Sequence, residues 1–82
     1  MRITIRLFAL LKDRAGTDRV ELDLPEKSTI ATAVEQLRHK FPALADHLNH
    51  IAFALNLSYT QPNTPLQDGD ELALIPPVSG GQ

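Results

Sequence analysis

Thr29-Ile30-Ala31-Thr32-Ala33-Val34-Glu35-Gln36-Leu37-Arg38-His39-Lys40-Phe41-Pro42 is the stretch that decides the fold, because it alone carries a long helical period. Ile30, Ala33, Val34, Leu37 and Phe41 recur at three- and four-residue spacing and draw one apolar stripe. Glu35, Gln36, Arg38, His39 and Lys40 take the wet side, with the cations in the last turns, where the helix dipole favours them. Thr29 is placed to cap the first turn, and Pro42 stops the helix. A single helix of about 13 residues with one greasy face calls for one sheet to cover it.

Outward from the helix the period changes to two. On the N-terminal side, Met1–Leu10 sets Ile3, Ile5 and Leu7 against Arg2, Thr4, Arg6 and Phe8, which reads as a strand with one buried face. Leu10–Ala15 predicts a short helical turn closed by Gly16. Val20, Leu22 and Leu24 then alternate with Arg19, Glu21 and Asp23 as far as Pro25, giving a second strand and an antiparallel hairpin. On the C-terminal side, Ala43–Leu48 predicts another short helix and Ile51–Leu57 a strand. Tyr59–Gln67, with Pro62 and Pro65, reads as irregular or as an edge segment. Asp68-Gly69-Asp70 is a turn in which Gly69 supplies positive φ, and Glu71–Ile75 is the last strand. The expected architecture is an α+β roll over residues 1–75: a mixed sheet of four or five strands with one main helix on one face. Residues 76–82 are expected to form a flexible tail.

Composition narrows the function. A chain of 82 residues is one small domain that buries only about 60–65% of its unfolded surface. Its net charge of −2 and its lack of Trp offer neither a basic face nor a stacking platform for nucleic acid. Cysteine is absent, which excludes disulfides, Cys-ligated metals and a Cys nucleophile, and fits the reducing cytoplasm. The apolar run Leu7–Leu11 is too short for a signal peptide or a membrane span.

Side-chain chemistry has few candidates. His47 and His50 are three residues apart, but only the adjacent Asp46 supports them as metal ligands, so no metal site is expected. Asp68, Asp70 and Glu71 lack the alternating oxygen ligands of a calcium loop and suit a hairpin turn. Ser28, Ser58 and Ser79 sit in no nucleophile elbow. What remains is the end, Pro76-Pro77-Val78-Ser79-Gly80-Gly81-Gln82. Two prolines hold the backbone extended and two glycines remove every side chain, which makes an arm able to enter a narrow cleft. A carrier without a reactive side chain can hold a group on a backbone carboxyl activated as an acyl-adenylate. The ATP site must belong to a partner, because the chain has no glycine-rich phosphate loop.

These residues resemble a family. Phe8-Ala9-Leu10-Leu11-Lys12-Asp13-Arg14-Ala15-Gly16 is similar to F-A-x-x-R-E-x-x-G, and Ala54-Leu55-Asn56 to A-V-N. Pro65-Leu66-Gln67-Asp68-Gly69-Asp70-Glu71-Leu72-Ala73 with Pro76-Pro77-Val78-Ser79-Gly80-Gly81 matches P-L-x-D-G-D-E-V-A…P-P-V-[ST]-G-G of the molybdopterin synthase small subunits, ubiquitin-like sulfur carriers with a β-grasp fold. The resemblance implies that the first and last strands lie parallel and central. It implies that an E1-like enzyme adenylates the Gly81 carboxylate with ATP and that sulfur then makes a thiocarboxylate. Gly80 and Gly81 are the reactive end. The implied sulfur acceptor is cyclic pyranopterin monophosphate, held by a large subunit in a cytoplasmic heterotetramer. The chain itself binds no cofactor.

Partner contacts are expected at Phe8, Lys12, Ile75, Pro76, Pro77, Val78 and Ser79. Lys12 keeps the charge of the family's Arg but not its bidentate geometry. Gln82 leaves the Gly81 carboxyl in an amide. Two other roles share the fold: a sulfur carrier for thiamine or tRNA thiolation, and a ubiquitin-like interaction module without sulfur chemistry.

Overall fold

The computed structural model describes residues 1–77, and within them every element is built around a five-stranded sheet of order β2-β1-β5-β3-β4. The strands are β1 (Arg2–Leu7), β2 (Arg19–Asp23), β3 (Ala52–Leu55), β4 (Ser58–Thr60) and β5 (Glu71–Ile75). The helices are α1 (Ala9–Ala15), α2 (Ile30–Lys40) and a 3₁₀ turn over Pro42–His47. β1 and β5 pair in parallel at the centre, and the remaining pairings are antiparallel.

The two-residue period of the strands becomes two different faces. The registers Ile5↔Val20, Ile5↔Leu72, Leu7↔Leu74 and Phe53↔Leu74 put the apolar set on one side. Ile30, Ala33, Val34 and Leu37 of α2 close over that side, joined by Leu11, Leu44, Leu48 and Leu66. Phe41 departs from the expected stripe. The helix ends at Lys40, Phe41 becomes its C-terminal cap, and its ring is only partly buried against the core.

The start of α2 is held by the chain that follows it much later. Its first N–H groups have no partner within the helix. Ile30 donates to the Thr64 carbonyl at 3.1 Å and Ala31 to that of Pro62 at 2.9 Å, while Thr32 donates to the Thr29 hydroxyl at 3.4 Å. The segment 61–66, irregular by sequence, is thus the cap of the main helix.

Two expected boundaries move. β1 stops at Leu7, so Phe8 caps α1 instead of continuing the strand. The predicted strand Ile51–Leu57 breaks at Asn56-Leu57, which turn at φ +50° and +74°, and the chain reverses into β4. Positive φ at both central residues of a two-residue hairpin makes a type I′ turn. Asn56 is the one polar residue in a run that is otherwise apolar and has no glycine, and that apolar context concealed the turn.

Leu37 is fully buried in the centre of the α2 stripe. Leu37→Ala is expected to cost about 2–5 kcal/mol, read from urea denaturation.

On the open face of the sheet, Arg2 Nε donates to Asp23 Oδ1 at 3.1 Å. This bond, with the attraction of the guanidinium, holds the Asp23 carboxyl below its ordinary value. A depressed carboxylate stabilises the fold above its unfolded value and loses that contribution as pH falls through its folded value. Asp23→Asn should therefore melt slightly lower than wild type at neutral pH, with the gap closing in acid so that part of the acid limb flattens, as thermal melts against pH would show.

Candidate functional site

The face of the sheet away from α2 carries no covering element among the described residues, and the registers define what it presents. Arg6 lies beside Ala73, Ala73 beside Ala54, and Ala54 beside Tyr59, in one row across β1, β5, β3 and β4. One row further along, Ile75 stands beside Ala52. Small alanines in the middle make a shallow trough, and larger side chains rise at its margins. Phe8 stands at one margin, 42% exposed, with the Arg6 guanidinium carbon 5.9 Å from its ring centre. Tyr59 and Leu57 stand at the other, 76% and 95% exposed.

Within the trough, Arg6 donates to Glu71 Oε2 at 3.0 Å, and both side chains are partly covered. The Arg6 Nε is buried without a hydrogen-bond partner among the described residues. Arg6, Phe8, Ala54, Leu57, Glu71 and Ala73 together enclose a small hollow of about 60 Å³. A monomer seldom groups its exposed apolar side chains in this way without a use for them.

The sequence candidates fall into three groups. Phe8 and Ile75 belong to this face, Ile75 being half-buried at the end of β5. Pro76 and Pro77 follow directly and line a second, mostly apolar hollow of about 350 Å³ with Ala9, Leu10, Asp46, His47 and His50. Lys12 is exposed on α1 and makes no ion pair among the described residues. Val78, Ser79, Gly80, Gly81 and Gln82 lie outside the described residues. Leu57 and Tyr59 are the residues that sequence reasoning missed. The available signal was Tyr59, an aromatic residue in an otherwise polar segment.

The carboxylates of the Asp68 loop have another role. The Arg2 N–H donates to Asp68 Oδ1 at 2.7 Å, and the Gln67 N–H to Asp70 Oδ2 at 2.7 Å. Asn56 Nδ2 donates to Asp70 Oδ1 at 3.0 Å, and Asn56 Oδ1 accepts from the Glu71 N–H at 2.9 Å. These bonds tie the starts of β1 and β5 to the β3–β4 turn. Asp68 Oδ1 and both Asp70 oxygens already face donors, and no group of three metal-ligating side chains occurs among the described residues. Asp70→Ala should cost about 1–2 kcal/mol by denaturation, whereas millimolar calcium should leave the wild-type melting temperature unchanged.

Comparison with known proteins follows this geometry. A model of the ThiS family matches residues 5–81. The molybdopterin synthase sulfur carrier subunit of Arabidopsis thaliana is 37% identical over 81 residues, which cover 99% of this chain and 84% of that protein. SAMP1 of Haloferax volcanii superposes with a TM-score of 0.92 at 32% identity, covering 99% of this chain and 100% of that one. Subunit 1 in the protein–protein complex of subunits 1 and 2 of the Helicobacter pylori molybdopterin-converting factor is also similar. It gives a TM-score of 0.69 at 27% identity, with 99% of this chain and 100% of the matched chain covered. No helix among the described residues is long and apolar enough to cross a membrane.

Proposed function

The chain belongs to the ThiS family, and from that premise we propose that it carries sulfur on the carboxyl of Gly81 and releases it inside a second protein. Its function is that of a molybdopterin synthase sulfur carrier subunit. The observation that carries the mechanism is the end of β5. Ile75 ends β5 on the open face and is followed in sequence by Pro76, Pro77 and then Gly80-Gly81, while the described residues offer no cysteine, no group of three metal-ligating side chains and no glycine-rich phosphate loop. Chemistry at the backbone, performed in a partner's site, is what such a chain supports.

The steps follow from carboxyl chemistry. A carboxylate is a poor acyl donor, so an E1-like enzyme first joins the Gly81 carboxylate to the α-phosphate of ATP and releases pyrophosphate. Attack by hydrosulfide at the acyl carbon expels AMP and leaves a thiocarboxylate. This anion is nucleophilic at sulfur, and the glycines let it reach a confined acceptor. The acceptor of the reading is cyclic pyranopterin monophosphate, and two deliveries complete a dithiolene. The acids and bases belong to the large subunit, of which the Helicobacter pylori complex offers a parallel. In this reading the pair assembles as a heterotetramer in the cytoplasm.

In this chain the Gly81 carbonyl is bonded to the nitrogen of Gln82, and the family match ends at Gly81. Hydrolysis of the Gly81–Gln82 bond therefore precedes activation. One residue of extra chain displaces a terminal carboxyl by roughly 3.5 Å, enough to take it out of a site shaped for glycine. A second reading has an observation of its own, the superposition on SAMP1, a small archaeal modifier protein. There the same activated carboxyl would acylate a lysine of another protein.

One reaction tests both. With an E1-like enzyme, ATP and sulfide, a chain ending at Gly81 should gain about 16 Da as sulfur replaces oxygen. The chain that retains Gln82 should remain unmodified. Equal sulfur transfer to both, with Gln82 still present by mass, would overturn the assignment to Gly81. Isopeptide-linked products with added proteins, and no thiocarboxylate, would favour the modifier reading.

A further inference from the structure

We propose that Leu57 is a partner-reading anchor, a leucine held out on a strained turn so that the large subunit can bury it. The proposal rests on the sulfur-carrier reading, which supplies the partner, and goes beyond it by assigning a contact to a residue outside the family's quoted motifs.

The argument starts from turn chemistry. Both central residues of a type I′ hairpin need positive φ, for which Asn followed by Gly is the preferred pair. Asn56 meets the requirement at φ +50°, and its side chain is used twice, toward Asp70 and the Glu71 N–H. Leu57 does not meet it. At φ +74° its Cβ crowds the backbone, and a branched apolar residue in this region is strained. A buried leucine repays such strain through packing. Leu57 is 95% exposed and recovers almost nothing from its own fold. Two unfavourable features therefore meet at one residue with no compensation inside the chain.

The surroundings indicate what compensates. Leu57 closes the hollow formed by Phe8, Ala54, Ala73 and the Arg6–Glu71 pair, so it belongs to the trough on the open face. That trough continues along β5 through Ile75 into Pro76 and Pro77, the route to the reactive glycines. A protein that takes the tail into its own site must lie against the strand from which the tail leaves, and the far margin of that surface is Leu57. The face also names the chemistry of the occupant. It must offer an apolar pocket for the leucine, which stands clear of its own fold. A second copy meeting this face with its own would set trough against trough, and its apolar hollow beside Pro76 and Pro77 lies at the root of the tail that has to be taken up. The fitting occupant is the large subunit.

The test uses the full chain and the molybdopterin synthase large subunit of the same organism, with affinity from calorimetry and stability from thermal melts. Leu57→Gly relieves the strained φ, so the isolated chain should melt a few degrees higher. The same substitution should weaken binding by about tenfold or more, because it removes the anchor. Leu57→Met keeps the apolar volume and should hold affinity within about threefold of wild type. The opposed signs of the Gly variant separate an anchor from a residue that supports the turn. A lower melting temperature for Leu57→Gly would show a structural role and overturn the proposal. Wild-type binding with unchanged affinity for Leu57→Gly would overturn the anchor and leave the carrier reading intact. A wild-type chain that does not bind the large subunit would overturn both.

Discussion

The parallel pairing of β1 with β5 is the contact on which the rest of the structure depends. These strands come from opposite ends of the chain, yet they lie side by side at the middle of the sheet, with Ile5 beside Leu72 and Leu7 beside Leu74. Every other element is placed relative to them. β2 pairs on the outer side of β1, β3 on the outer side of β5, and α2 covers both. Closing so long a loop costs little more than closing a short one, but it makes the fold rely on contacts that form late. The bonds around Asp68, Gly69 and Asp70 act at this junction. Arg2 and Thr4 of β1 are tied to the loop that launches β5, through Asp68 Oδ1, the Gly69 N–H and the Asp70 carbonyl. The most family-like stretch of the described chain is thus explained by register and not by catalysis.

That division shows what a sequence can disclose. The α2 stripe, the alternation of Ile3, Ile5 and Leu7, and the turns at Gly16 and Gly69 were all legible, because each rests on local periodicity or on a residue whose backbone preference is strong. The Asn56-Leu57 turn was not. A leucine at positive φ goes against its own preference, so Asn56 alone in Ile51–Leu57 hints at a reversal, and Tyr59–Gln67 was left as either irregular or an edge segment, the second of which β4 turns out to be. Phe41 was misjudged for a related reason. Its spacing continues the stripe, but the spacing does not reveal that the helix stops at Lys40. The open face was only half legible. Phe8 and Ile75 follow from strand alternation, whereas Tyr59 and Leu57 join them only once β4 folds back beside β3.

The one-sided sheet also fits a chain that does its chemistry elsewhere. A domain of this size has one core, and here the core lies entirely between α2 and the apolar face. Covering the second face would need another layer and would hide the surface that a partner must recognise. Instead the middle of that face is occupied by the Arg6–Glu71 pair and by alanines whose small side chains expose little apolar area. The floor of the trough thus exposes little apolar area, while its margins stand tall.

Recognition and delivery then become two properties of one strand. Glu71, Ala73 and Ile75 point to the open face, Leu72 and Leu74 to the core, and Pro76 and Pro77 continue the same chain outward. Because β5 is central and held on both sides, its end cannot shift relative to the trough without breaking the parallel pair. A protein seated on the open face therefore meets the start of the tail at a fixed place and in a fixed direction. The prolines extend that direction by restricting φ. Restriction of the backbone up to Pro77 thus fixes where the chain leaves the sheet and in which direction.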